Sequence, residues 1–178
     1  MLAYRKFAGG ICVKVLENSG FMVVCPVFLW KTGCQSDIIG HISAFFDGDW
    51  AWCVNPFSLD DPRLRNGDKT MSFALSTYLN SDFNYVFFSS VVVVDKTIRE
   101  AILKDITAED YSVIGITLTC SEDTLRERHK KRGDTNACSF FWLHLKPYEG
   151  DSVIDTDNKS VQQIVDEIKG IIDGVGSE

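Results

Sequence analysis

Apolar residues along this chain fall into short dense runs, separated by stretches where they recur every three or four positions. The runs at 21–29, 42–46, 85–94, 112–119 and 152–154 predict five strands. Most are continuous rather than alternating, as suits strands covered on both faces. Between them, 66–80 carries Met71, Ala74, Leu75 and Tyr78 at helical spacing, and 96–104 carries Ile98, Ala101 and Ile102 likewise. Ser121 opens a helix with Glu122 and Asp123 in its first turn. Ser160 opens another, with Val161, Ile164, Val165, Ile168 and Ile171 along one face and an end at Gly174. Strand, crossover helix and parallel strand in alternation make an α/β protein, a parallel sheet flanked by helices. The stretches 53–65 and 133–150 have no such pattern, and long irregular segments in a compact domain more often serve function than mere connection.

Composition narrows the picture. A chain of 178 residues that is 45% hydrophobic supports one sizeable core, so residues 1–178 are expected to form a single domain. Its 25 acidic and 18 basic residues leave a net charge of −7, which repels a phosphodiester backbone and argues against nucleic acid as a general partner. The six cysteines show no CxxC or CxxH spacing, and most have apolar neighbours, as free thiols in a reducing compartment do. The longest apolar stretches, 21–30 and 85–94, are about half a membrane span, and no charged leader with a small-residue cleavage site precedes them. The expectation is a cytoplasmic protein with no membrane partner.

Three constellations have the makings of chemistry. At Phe45-Phe46-Asp47-Gly48-Asp49-Trp50 a strand ends in two carboxylates separated by glycine. The ligand crevice of an open parallel sheet lies outside the carboxyl ends of its strands, which places both acids near the site; the same residues also make an ordinary solvated turn. The run 124–133 gathers Arg126, Arg128, Lys130, Lys131 and Arg132 in an otherwise acidic chain. Guanidinium groups pair with phosphate oxygens and stabilise a phosphoryl group in flight, whereas the plainer reading is a solvated helix face. Because Phe140, Phe141, Trp142 and Tyr148 follow in a long loop, residues 121–150 read as a closing lid. Finally, Asp155-Thr156-Asp157-Asn158-Lys159-Ser160 turns the last strand into the last helix, either capping that helix or framing a purine.

Taken in order, "FFDGDWAW", "NPF", an apolar strand, "LTCSEDTLRERHKKRG" and "VIDTDNKSVQQIVDEI" resemble the small-molecule and nucleotide kinases of the P-loop superfamily, shikimate kinase-like and adenylate kinase-like, over about residues 42–175. The resemblance implies a three-layer domain with a five-stranded parallel sheet, ATP and Mg²⁺ as cofactors, and a small-molecule acceptor. It implies that Asp49 holds the acceptor hydroxyl and acts as its base, and that Asp47 lies near the magnesium. Arg126 and Arg132 would belong to the lid over ATP, and Asp155, Asp157 and Asn158 would lie beside the adenine.

That superfamily needs GxxxxGK[ST] after its first strand, because successive backbone N–H groups surround the β-phosphate. Here the chain reads Cys25-Pro26-Val27-Phe28-Leu29-Trp30-Lys31-Thr32. Lys31, for the β- and γ-phosphates, and Thr32, for the metal, match the end of the motif. Both glycines are missing, Trp30 crowds the phosphate's approach, and Pro26 removes a donor. Residues 1–30 are atypical for the start of such a domain. One account lies in the codons: Leu-Trp-Lys-Thr requires TGG followed by AAR and ACN, and one adenine restored in that run reads Gly-Lys-Thr, as though the frame were shifted up to about Trp30. The alternative function is a non-catalytic binding module that has lost the phosphate loop. His41, His129 and His144 have no cysteine or serine arrangement that suggests a nucleophile.

Overall fold

The computed structural model describes residues 20–24, 43–55, 58, 61–81, 83, 85–109, 111–131, 133 and 137–175. It is a mixed α/β fold in which parallel strand pairs alternate with helices. The strands are β1 (Gly20–Val24), β2 (Ser43–Asp47), β3 (Tyr85–Ser89), β4 (Tyr111–Thr119) and β5 (Ser152–Asp155). The helices are α1 (Asn66–Leu79), α2 (Lys96–Lys104), α3 (Glu122–Lys131) and α4 (Val161–Val175), with short 3₁₀ turns at Gly48–Trp52, Pro62–Arg65 and Val91–Val94.

The four strands whose side chains are described form two parallel pairs, β2 with β3 and β4 with β5, rather than a five-stranded sheet of their own. Backbone pairing of β1 with β3 and with β4, also parallel, links the two pairs in the order β2-β3-β1-β4-β5. All carboxyl ends therefore share one edge, with Asp47 level with Ser89 and Thr119 level with Asp155.

Side-chain alternation on β3 divides the core. Tyr85 and Phe87 join Ile114, Ile116 and Ile154 beneath Ile164, Val165, Ile168 and Ile172 of α4. Val86 and Phe88 face the other way, towards Met71, Leu75 and Leu79 of α1, Ile102 of α2 and Val92 and Val93. Helix α4 starts where a capping box allows it: the Gln163 N–H donates to Ser160 Oγ at 3.3 Å, and the Ser160 N–H donates to Gln163 Oε1 at 2.8 Å.

Several expected elements change shape. The run at 85–94 is a strand only to Ser89, and its four valines coil into a 3₁₀ turn. β-Branched residues favour strands, but Ser90 and Val91 are drawn back towards the end of β2, and that tertiary contact overrides the preference. The acid Asp47, expected just beyond β2, is its last residue. Ala101 and Val161, placed on the buried faces of their helices, are exposed, while Ile172 supplies core contacts instead.

Candidate functional site

The chain leaves β2 at Asp47 and turns at once through the 3₁₀ segment Gly48–Trp52, with the Asp49 N–H donating to Asp47 Oδ1 at 3.0 Å. Glycine is required between the acids, since a Cβ at position 48 would lie 2.6 Å from Phe88 Cε2 and 2.9 Å from Ser90 Cβ. This tight approach swings Asp49 over the end of β3, where the fully buried Ser90 donates its hydroxyl to Asp49 Oδ1 at 3.0 Å and the Val91 N–H donates to the same oxygen at 3.3 Å. Burial, reinforced by the neighbouring Asp47 charge, pushes the Asp49 carboxyl up to about 7 against the pull of these two donors. A carboxyl so placed exchanges a proton near neutral pH, the property a general base needs.

Asp47 and Asp49 are thus brought together at the carboxyl edge. With Asp49, the residues Trp50, Trp52, Asn55 and Phe57 suggest from sequence an acceptor pocket with aromatic walls and a few polar handles, and that wall is only partly there. Trp50 is 60% exposed, whereas Trp52 belongs to the core, donating its Nε1–H to Asp68 Oδ1 at 3.1 Å beneath the Arg65 guanidinium. Asn55 lines a cavity of about 160 Å³ with Val54, Asp61, Arg63 and Leu64. Phe57 lies outside the described residues.

On the other side of β1, about three strand spacings or roughly 14 Å from β2, β4 and β5 end in a second polar group. The Ser121 N–H donates to both carboxylate oxygens of Asp157 at 3.0 Å, bonds that hold this acid below the usual carboxylate range. Asn158 has a left-handed φ of 56°, and the Asp157 N–H donates to Asp155 Oδ1 at 2.9 Å. The structure therefore gives Asp157 a capping role at the start of α3, while Asp155 and Asn158 are exposed along the edge.

Arg126 points along α3, 3.8 Å from Glu122 and with its guanidinium 5.0 Å above the Phe140 ring. His144 Nε2 lies 2.7 Å from Glu122 Oε1, so the loop after α3 folds back on that helix. Lys31, Thr32 and Arg132, together with Pro26 and Trp30 of the phosphate-loop segment, lie outside the described residues. Cys53, Cys120 and Cys138 are free thiols and at least partly exposed, not buried as small hydrophobes.

Sequence reasoning passed over Ser90, and it counted Arg128 only as one cation of the run 124–133, without its bonds to Thr156. The two serines that interrupt the apolar run 85–94 are the trace of Ser90, because a polar pair inside a buried strand marks where it meets a partner. Among the described residues no group of three or more His, Cys, Asp or Glu side chains is arranged to hold a metal, and no helix is long and apolar enough to cross a membrane. No protein-family model matches the chain, and no curated protein matches its sequence.

Proposed function

We propose that this chain is an ATP-dependent phosphotransferase of the P-loop kinase kind, a three-layer domain built on one five-stranded parallel sheet, acting in the cytoplasm on a small hydroxylated or nucleotide acceptor. The observation that carries the reading is Asp49. It is a partly buried carboxyl raised to about 7, fixed by Ser90 and Val91 at the carboxyl edge of parallel strands, where ligands of open α/β sheets bind.

In this reading Asp49 accepts a hydrogen bond from the acceptor hydroxyl and takes its proton as that oxygen bonds to the γ-phosphorus. The bond from the γ-phosphorus to the β–γ bridging oxygen breaks, with ADP as the leaving group. Ser90 keeps the carboxylate oriented towards the acceptor oxygen. Asp47 offers oxygen ligation of the hard kind that Mg²⁺ prefers, with Thr32 as the second protein ligand. Mg²⁺ held there would supply charge neutralisation on the phosphates. Lys31 holds the β- and γ-phosphates, Arg126 and Arg132 close over the transferred group, and Asp155, Asp157 and Asn158 line the base. Arg126 must leave its position over Phe140 to do this, and Asp157 serves through its backbone while its carboxylate caps α3.

The test is ADP release with Mg·ATP across a panel of nucleosides, sugars and hydroxy acids. Acceptor-dependent, saturable release supports the reading, and complete inactivity of the folded chain contradicts it. A second reading has its own observation: Pro26 and Trp30 stand where a phosphate loop needs free N–H groups and glycine. A binding module that has lost phosphoryl transfer takes up its small molecule in a calorimeter without ATP or magnesium and releases no ADP when Mg·ATP is added, whereas the kinase releases ADP once that molecule and Mg·ATP are both present.

A further inference from the structure

Arg128 differs from the other cations of α3. Lys130 and Lys131 extend into solvent and Arg126 lies against Phe140, while Arg128 turns towards the end of β5. Its Nη1 donates to Thr156 Oγ1 at 2.9 Å and its Nη2 to the Thr156 carbonyl at 2.8 Å. Thr156 is only 3% exposed, and its Oγ1 and N–H each donate to the Thr119 carbonyl at 2.8 Å. The Thr156 carbonyl also accepts from the Lys159 N–H at 3.4 Å, closing the turn that contains the left-handed Asn158. With Asp157 holding the Ser121 N–H, helix α3, the end of β4 and the 155–158 turn are joined by bonds at both of the turn's middle residues.

A planar guanidinium presents two N–H groups in a fixed fork that fits a hydroxyl and a carbonyl of one residue, whereas an ammonium offers rotatable donors on a flexible stem without that fork. Arg128 spends one N–H of each Nη on Thr156, which ties its guanidinium to the turn in this arrangement. We infer that Arg128 is a positioning residue for the nucleotide base: by holding Thr156 it fixes the shape of the 155–158 turn against α3, and with it the affinity for the purine and the choice between adenine and guanine. The inference rests on the proposed kinase reading, which puts that turn beside the base.

Calorimetric binding of Mg·ATP and Mg·GTP, without acceptor, tests it on the wild type, R128K and R128Q, with thermal melting run in parallel. Losing a charge-assisted bond at both Thr156 atoms is expected to weaken ATP binding by R128Q about tenfold and to change the ATP-to-GTP ratio. R128K, which keeps the charge but not the fork, should fall between. If R128Q fails to melt cooperatively, R128K alone decides, and wild-type affinities for both nucleotides in R128K overturn the inference. A folded R128Q with wild-type affinities and ratio overturns it too, leaving the kinase reading intact. A wild-type chain that binds neither nucleotide removes both.

Discussion

Asp49 and Asp151 are both carboxylates withdrawn from water, and their surroundings are opposite. Asp151 is 3% exposed at the side chain and meets the equally buried Arg99, whose Nη1 donates to both of its oxygens at 2.8 and 2.9 Å. Thr117 Oγ1 adds a third bond at 2.7 Å, and Tyr148 covers the guanidinium with its ring 4.0 Å away. Gly115 leaves the room, because a Cβ there would collide with Asp151 and Arg99. Among the described residues Asp49 receives neutral donors, Ser90 and Val91, and faces the like charge of Asp47. A buried charge given a cation becomes part of the scaffold, here joining α2, β4 and the start of β5. A buried charge given only neutral donors keeps its proton up to neutral pH and remains available for chemistry.

The largest effect comes from breaking the scaffold pair. R99A leaves Asp151 buried without its cation and should cost about 3–5 kcal/mol, read as a lower urea midpoint. The opposite sign is expected at Asp49. Its folded pKa lies above that of an unfolded carboxylate, so between about pH 4 and 7 the folded chain holds a proton that the unfolded chain has released. Stability from this group therefore falls as pH rises across that window. The wild type should lose on the order of 2–3 kcal/mol between pH 5 and pH 8 that D49N does not lose, as measured by denaturation at both values. The smallest effect sharpens the comparison at Gly48. G48A forces a methyl against Phe88 and Ser90 and should cost about 1–3 kcal/mol while moving Asp49 off Ser90.

The helices were legible because their apolar spacing and caps agree. Asp95, whose carboxylate accepts from the Ile98 N–H, and the Ser160–Gln163 box mark helix starts in the sequence, and 96–104 is matched residue for residue. The two acids at the end of β2 were legible as well, since a strand that stops at Asp-Gly-Asp has few other places to put them. What a linear pattern does not carry is contact across the fold. Nothing near Arg99 in sequence announces Asp151, and nothing near Arg128 announces Thr156. Valines 91–94 read as strand because β-branching is a local preference, and the pull of Ser90 towards Asp49 is not. The acceptor wall was overdrawn for the same reason: Trp52 looked like a neighbour of Asp49, and its indole N–H is spent on Asp68 beneath Arg65.

The most direct measurement is a carbon-13 NMR titration of the Asp49 carboxyl, its resonance assigned by its loss in D49N. A midpoint near 7 is expected. A midpoint near 4, the ordinary value for an aspartate in water, would mean that this carboxylate is solvated and ionised like any other, and the proton acceptor proposed at the end of β2 would not exist.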